Sequence, residues 1–422
     1  MGAFDEYARM RQARPCPGLD RIRALLDELG HPERRLACLH IAGTNGKGSV
    51  AVFLDAILRE AGYRVGRYTT PELLSPRERI TVGGEPIPDD TLTDLLRSLE
   101  APTRRVQEKL GEEPSPFEVF TAAAFLYFAR EKCDYVVLEA GMGGALDATN
   151  VIESPLVSIL TRISLDHTAY LGATPAEIAR NKAGIIKEGC RTHRTFSAPQ
   201  CDEVAAVLRE EAEKRGNTLT FITPPPPKKH YGMNEAFYFP GYGDIRSGLA
   251  GVHQIENAYL ALTVAQFLGV DIFAAQCGVT YARHPGRMEL LRREPPLLFD
   301  GGHNPGGVEA LVTSLDRYWG ETPRVCIYGC MADKDYRTCL RRLAEVPTKF
   351  IFTEVTDNPR ALPAGALTAA AAGIGIRGEC LPRLADAIAR ADEIRLPTVI
   401  CGSLYLYADL PETYLTETFR RT

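Results

Sequence analysis

The chain reads as two α/β domains: a P-loop-type domain with a mostly parallel sheet, then a Rossmann-like α/β domain. Three observations carry this. A glycine-rich loop, Gly43 to Ser49, stands between an apolar strand-like run and a helical stretch. From about residue 284 short apolar runs alternate with helical ones, the pattern of a parallel sheet covered by helices. And 422 residues, at about 150 per domain, make two or three domains. The expected division is 1–283 and 284–422, with His284, Pro285 and Gly286 at the boundary.

In chain order, the first element is a helix in PGLDRIRALLDELG. Leu19, Ile22, Leu25, Leu26 and Leu29 share one face, and Gly30 supplies the stop. LACLHIAG is a buried strand, followed by the loop TNGKGS and the helical stretch VAVFLDAILREAG. DYVVLEAG and VSILTRI are further strands. Thr174, Pro175 and Glu177 are the N-cap, N1 proline and N3 acid of a helix running through Ala183. Pro224 to Pro227, with Lys228 and Lys229, read as a surface hairpin connection. The later strands are PLLFDGG, RVCIYGC, KFIFTEV and PTVICGS, with GGVEALVTSLDRYW and ALTAAAAG as helices between them.

Composition narrows the function classes. The chain is 45% hydrophobic and 24% charged, with a net charge of −5 and no basic block. That disfavours nucleic acid or an anionic membrane as main partner. No apolar run approaches the roughly 18 residues of a membrane span. MGAFDEYARMRQARP lacks the apolar core of a signal peptide, and Glu6 argues against myristoylation. The 11 cysteines are scattered with no CxxC, as in a reduced, cytoplasmic protein. A soluble monomeric enzyme acting on small molecules is the expectation.

Three constellations bear on chemistry. Gly43-Thr44-Asn45-Gly46-Lys47-Gly48-Ser49 is a variant phosphate loop, shorter than GxxxxGK[ST]. Its glycines let backbone N–H groups approach phosphate oxygens, its lysine adds charge, and Ser49 offers a hydroxyl to a metal. Glu139 ends one strand and Asp166-His167 follow another, at the carboxyl edge where parallel sheets bind ligands. Hard cations accept such oxygens and tolerate one imidazole. Asp300, His303, Asn304 and Pro305 crowd a strand end; a ligand contact and a plain N-cap cluster are equally good readings. The GxGxxG at Gly373 to Gly378 follows a helical stretch, so it is a turn rather than a dinucleotide fingerprint. Gly141, Gly143 and Gly144 follow a strand, but no helix opens after them.

Taken together, HIAGTNGKGS, YTTPELLSPRERI, FEVFTAAAF, LEAGMGGALDATN, LDHTAYLGATPAEIARNKAGIIK, GVHQIENA, HPGRMEL, DGGHNP and CGSLY occur in one order along nearly the whole chain. In this the sequence resembles the folylpolyglutamate synthase/dihydrofolate synthase family of the Mur ligase superfamily. The resemblance implies an N-terminal P-loop-type ATPase domain that also binds magnesium and pterin, and a C-terminal glutamate-ligase domain. The implied reaction is ATP-dependent joining of L-glutamate to a dihydropteroate or reduced folate carboxylate through an acyl phosphate. Mg²⁺ is the implied metal, with Mn²⁺ able to replace it and room for a monovalent cation.

Residue by residue, the resemblance gives Gly43 to Ser49 the ATP phosphates. Thr70 (where the family has Ser), Glu139, His167 and Ser49 become metal ligands. Lys182 matches the lysine that is carbamylated in this superfamily. Asn257 and Asp300 match nucleoside contacts, Arg287 a phosphate contact, and His303 a position near the glutamate site. Phe117, Asp147 and Ala148 match the pterin pocket. Lys47, Lys182, His167 and His303 are the implied catalytic set. Glu72, Pro76, Ala145, His284 and Ser115 depart from the family's usual residues, mostly on the folate side. Other readings are a cell-wall Mur-type amino-acid ligase, a glutamate-independent ATPase or phosphotransferase, and a binding protein without turnover.

Overall fold

The computed structural model describes residues 17–189 and 193–415. The N-terminal segment discussed above lies outside them, as do Cys16 and Cys190; the remaining cysteines are free thiols. The described chain forms two compact units. The larger takes the chain to Pro226, then Phe237–Ser247 and Ile255–Ala282; the smaller takes Pro227–Ala236, Gly248–Gln254 and the chain from Arg283 onward.

The larger unit is built on an eight-stranded sheet. Its strands are β1 (Cys38–Ala42), β2 (Val65–Tyr68), β3 (Ile80–Val82), β4 (Glu85–Pro86), β5 (Tyr135–Glu139), β6 (Val157–Leu160), β7 (Arg194–Ser197) and β8 (Thr218–Phe221). Their order is β4-β3-β2-β5-β1-β6-β7-β8. The β2–β3 and β3–β4 pairs are antiparallel, and every other pair is parallel. β1 is central and buried at all five positions. That explains its unbroken apolar reading, since a parallel strand covered on both faces has no polar side. Its helices are α1 (Asp20–Glu28), α2 (Lys47–Glu60), α3 (Asp89–Leu110), α4 (Pro116–Arg130), α5 (Thr168–Leu171), α6 (Pro175–Lys182) and α7 (Asp202–Lys214). α8 (His253–Phe267) and α9 (Ile272–Tyr281) complete it, α8 starting two residues earlier in the smaller unit.

The expected helix start holds: Thr174 and Glu177 form a capping box ahead of α6. Ser115 with Glu118 does the same for α4, a cap not read from the sequence. Arg21 in α1 is buried, a position its charge did not suggest. Its Nε donates to Glu118 Oε2 at 3.1 Å and one terminal nitrogen donates to Glu112 at 2.8 Å.

A three-stranded sheet follows: β9 (Lys229–Tyr231), β10 (Asn234–Phe239) and β11 (Gly243–Ala250), in the order β11-β10-β9. The Pro224–Pro227 run therefore joins β8 of one sheet to β9 of another, and does not connect two strands of a hairpin as expected. Prolines donate no ladder bond, so composition alone does not tell the two connections apart.

The smaller unit has a six-stranded sheet, β12 (Glu289–Arg292), β13 (Leu297–Phe299), β14 (Arg324–Tyr328), β15 (Thr348–Phe352), β16 (Gly378–Cys380) and β17 (Thr398–Cys401). The order is β12-β13-β17-β14-β15-β16, parallel except at the β12 edge. Its helices are α10 (Pro305–Trp319), α11 (Tyr336–Leu343), α12 (Ala364–Ala372) and α13 (Leu384–Ile394). Gly373 to Gly378 is the α12-to-β16 turn, as read from the sequence. Among the described residues no helix is long and apolar enough to cross a membrane.

Glycines set how closely the helices approach. A Cβ on Gly278 of α9 would lie 2.4 Å from Ile57 Cα in α2, against backbone that cannot move aside. A Cβ on exposed Gly365 in α12 would meet nothing within 4 Å. We therefore predict opposite signs for one chemical change. Gly278→Ala should destabilise by about 1–3 kcal/mol through overpacking. Gly365→Ala should stabilise by about 0.5 kcal/mol through lost unfolded-state entropy. Denaturant midpoints at constant m-value check both, and equal shifts for the two would refute the packing argument.

Candidate active site

The phosphate-loop segment is shaped by two enforced glycines. Gly43 leaves β1 at φ +152°, and a Cβ there would lie 1.8 Å from Thr161 Oγ1. Gly46 sits at φ +93°, and a Cβ there would lie 2.3 Å from Asn257 Oδ1 on α8. Between them the loop is laced to the strand-end segment after β6. Thr44 N and Asn45 N donate to Arg162 O at 2.9 and 3.2 Å, and Thr44 Oγ1 donates to Ser164 O at 3.0 Å. α2 begins at Lys47, so Gly48 and Ser49 lie in its first turn. Gly46, the N-cap, has no side chain to cap α2, and the first turn holds no acid. A helix start carries a partial positive charge, suited to an anion.

Around this pole lie two lysines and a carboxylate. Lys47 Nζ donates to Thr44 O at 3.3 Å and stands 3.9 Å from Glu139 Oε1. Glu139, at the carboxyl end of β5, is almost fully buried and its Oε2 accepts from Thr70 N at 3.2 Å. Lys182, at the end of α6, is buried and donates to Gly43 O at 2.7 Å. Burial, and then the charge of Lys47, lower the Lys182 pKa to about 7, with Asp166 and Asp147 opposing. His167 is partly exposed at φ +50°, and its N–H donates to Asp166 Oδ1 at 2.8 Å.

The glycines after β5 have a packing reason. Gly144 N donates to Asn181 Oδ1 at 3.1 Å, and a Cβ on Gly144 would lie 2.7 Å from Lys182 O. Bare backbone here lets α6 bring Lys182 to the phosphate loop.

Phe117, Asp147 and Ala148, which the resemblance assigns to a pterin pocket, are also in this unit. The Phe117 ring lies 6.1 Å from that of Tyr68 and covers Gly141, where a Cβ would meet it at 2.6 Å. Asp147 is buried, and burial raises its pKa. Its carboxylate accepts from Met142 N at 2.8 Å, Thr149 N at 3.0 Å and Thr149 Oγ1 at 2.5 Å. The carboxylate thus holds its own loop and caps the 3₁₀ turn Ala148–Val151, a local use that spacing did not reveal. Ala148 is buried in that turn. Of the unusual residues, Glu72 is buried and ion-paired with Arg79. Pro76 is the first residue of a 3₁₀ turn whose Glu78 accepts from the amides of Leu73, Leu74 and Ser75.

The smaller unit carries its own cluster. Asp300 Oδ1 accepts from Gly302 N at 2.8 Å and Oδ2 from Met288 N at 3.0 Å. A Cβ on Gly301 would meet an Arg287 guanidinium nitrogen at 3.1 Å. His303 Nδ1 stands 3.0 Å from Gly301 O; a carbonyl only accepts, so the proton is on Nδ1. Asn304 Oδ1 caps Gly307 N at 2.8 Å, so the N-cap half of the Asp300–Pro305 alternatives is realised for Asn304. His253, not singled out from the sequence, lies within electrostatic reach of Asp300 and Arg287, and its pKa is lowered by burial. Also unforeseen was buried His40, whose Nε2 is 2.9 Å from Thr149 Oγ1. Each is a histidine inside a quoted motif, the only sequence signal they offered.

The family model described as the Mur ligase middle domain matches residues 41–265, and that of the Mur ligase glutamate ligase domain matches 286–401. The chain is 37% identical over 359 residues to a protein of Bacillus subtilis named dihydrofolate synthase/folylpolyglutamate synthase, covering 82% of each chain. It is 33% identical to the folylpolyglutamate synthase of Lacticaseibacillus casei, covering 94% of each. A solved structure of Mycobacterium tuberculosis folylpolyglutamate synthase complexed with ADP and AMPPCP superposes with a TM-score of 0.88 at 34% identity, over 95% of this chain and 96% of that one. On these matches, and on the site they accompany, the chain belongs to the folylpolyglutamate synthase/dihydrofolate synthase family of Mur ligases.

Proposed function

We propose that the protein is an ATP-dependent ligase that joins L-glutamate to the carboxylate of dihydropteroate or a reduced folate. The observation that carries this is the convergence of Lys47, Glu139 and Lys182 on an uncapped helix start. A binding module has no need of a buried lysine and a second lysine beside one carboxylate, whereas phosphoryl transfer does need positive charge held close to the transferred group.

The residues fit a nucleotide and a magnesium ion. Bare backbone at Gly43 and Gly46 forms a cradle that any Cβ would fill. Glu139, Thr70, Ser49 and His167 are a donor set of hard oxygens with one imidazole, which suits Mg²⁺ and also Mn²⁺. Among the described residues no three His, Cys, Asp or Glu side chains form a ready metal cage; this donor set takes half its members from hydroxyls. When bound, the ion screens phosphate charge. Lys47 and the α2 amides hold the phosphates, Asn257 and Asp300 the nucleoside, and Arg287 a phosphate. The acceptor carboxylate oxygen then attacks the γ-phosphorus and ADP leaves. The glutamate amine attacks the acyl carbon, losing its proton, and phosphate leaves. His303 belongs to the glutamate side of the second step. We read 1–283 as the nucleotide, metal and pterin part, and 284–422 as the glutamate-ligase part. The working state is a cytoplasmic monomer acting on small molecules alone, and its ATP site leaves room for a monovalent cation.

Lys182 is the carbamylation site of this scheme. Carbamylation needs the neutral amine to attack CO₂, and burial supplies it: with a pKa near 7, half the amine is neutral at pH 7. The product is an anion, so a group that repels the metal becomes one that supports it.

Three outcomes follow. With ATP, Mg²⁺ and labelled glutamate, label should enter dihydropteroate or tetrahydrofolate, and hydroxylamine should trap the acceptor as a hydroxamate when glutamate is left out. Full-rate ATP hydrolysis with neither substrate would favour the ATPase reading instead. Lys47→Ala should lose ligation by about 10³-fold or more with little change in melting, because it removes transition-state charge and no core; near wild-type turnover would refute the nucleotide assignment. Activity regained by CO₂-stripped enzyme on re-equilibration at a fixed dissolved CO₂ concentration should rise with pH through about 7, since the neutral fraction rises as the ammonium loses its proton. Lys182→Ala should show no such recovery. Full activity of the stripped wild-type enzyme would exclude carbamylation.

A further inference from the structure

The chain buries a hydrogen-bonded line that none of the chemistry above uses. His40 lies on β1, three residues before Gly43, and is completely buried. Its Nε2 is 2.9 Å from Thr149 Oγ1, and Thr149 Oγ1 is 2.5 Å from Asp147 Oδ1. His40 Nδ1 has no hydrogen-bond partner. Asp147 in turn accepts from Met142 N at 2.8 Å, next to Gly141, on which the Phe117 ring lies.

Hydrogen counting fixes the direction. Thr149 has one hydroxyl hydrogen. Directed at the Asp147 carboxylate, it leaves Thr149 Oγ1 only as an acceptor toward His40. His40 must then donate from Nε2, and its unpartnered Nδ1 carries no hydrogen. A single neutral tautomer satisfies both distances, and burial lowers the His40 pKa to about 3. Capping alone does not account for the line. The 3₁₀ turn is already capped by Thr149 N on Asp147 Oδ1 at 3.0 Å. A valine at 149 would fill nearly the same space without requiring a buried polar partner, and a buried imidazole with an orphan nitrogen is a cost that needs a reason.

We infer that His40 and Thr149 are positioning residues that fix the Asp147 carboxylate, and through Met142 and Gly141 the floor beneath Phe117, for the acceptor. The strand that supplies the phosphate loop thereby also orients the acceptor loop. The identity of the acceptor rests on the function proposed above; the hydrogen-bonded line does not. The hydrogen bonds of His40 and Thr149 run to the Asp147 loop and not to Lys47 or Gly46, so their removal is expected to act mainly on one substrate.

The test has two arms that fail separately. In wild-type protein with ¹⁵N-labelled histidine, long-range ¹H–¹⁵N spectra should show His40 as the neutral Nε2–H tautomer throughout pH 5 to 8. An Nδ1–H tautomer, or titration in that range, would overturn the line whatever the substrate. In kinetics, Thr149→Val should raise KM for the acceptor about tenfold, a loss of one hydrogen-bonded contact, while KM for ATP stays within twofold. Thr149→Ser, which restores the hydroxyl, should bring the acceptor KM back. An unchanged acceptor KM in Thr149→Val, equal increases for acceptor and ATP, or no rescue by serine would reduce the line to a structural role and refute the inference. If no acceptor is turned over by the wild-type enzyme, the spectra still decide the line and the function alone has failed.

Discussion

The larger unit depends on how closely bare backbone can be approached at three glycines. Gly43 passes the Thr161 side chain, Gly46 the Asn257 side chain, and Gly144 the backbone of the last turn of α6 at Lys182. A Cβ at any of them would force its neighbour to move: a side chain at Gly43 and Gly46, both at positive φ, and the helix backbone at Gly144. These approaches give the phosphate loop its curvature, bring Asn257 to it from α8, and set Lys182 beside it. The rest of the unit supports them: β1 is buried between β5 and β6, and α2 is held by α9 through Gly278.

Once the backbone is placed, electrostatics sorts the roles of the charged groups. Burial first, and then the charge of Lys47, disfavour the ammonium form of Lys182, while Lys47 stays partly exposed. Lys182 donates to a carbonyl and has its pKa drawn down, while Lys47 keeps Glu139 within 3.9 Å. Two lysines close in space thus become different, one buried with its pKa lowered to about 7 and one partly exposed beside Glu139. Burial lowers the charge on one, so that two full charges do not compete at one helix pole.

The smaller unit solves a related problem with local hydrogen bonds. Asp300 and Asn304 both spend side-chain oxygens on nearby amides, which fixes the strand-to-helix turn carrying His303. Elsewhere Glu235, with no exposure, is held by Arg317 at 2.6 and 3.1 Å and by the Tyr318 hydroxyl at 2.8 Å. A buried carboxylate needs such full satisfaction, because a half-paired one is costly to keep out of water. That network ties the 227–236 stretch to α10 within the unit, although the stretch lies far from α10 in sequence.

The sequence alone determined the two α/β architectures, most strand cores, the capped start of α6, and the glycine-rich loop between a strand and a helix. These are local matters: period, cap chemistry and glycine spacing act over a few residues, and burial on both faces leaves an unbroken apolar run. It also carried the family, because long-range function had left ordered motifs behind. Tertiary structure decided what depends on residues far apart. Asp147 looks like a ligand in the sequence and caps its own loop in the fold, because Met142 and Thr149 return to it. His40 and His253 are ordinary motif letters until packing removes their water. Lys182 reads as a last-turn cation, and only full burial beside Lys47 makes it an amine able to react. The route of the chain through 227–254, back and forth between units, likewise follows from which surface each short strand covers, and no window of sequence records that.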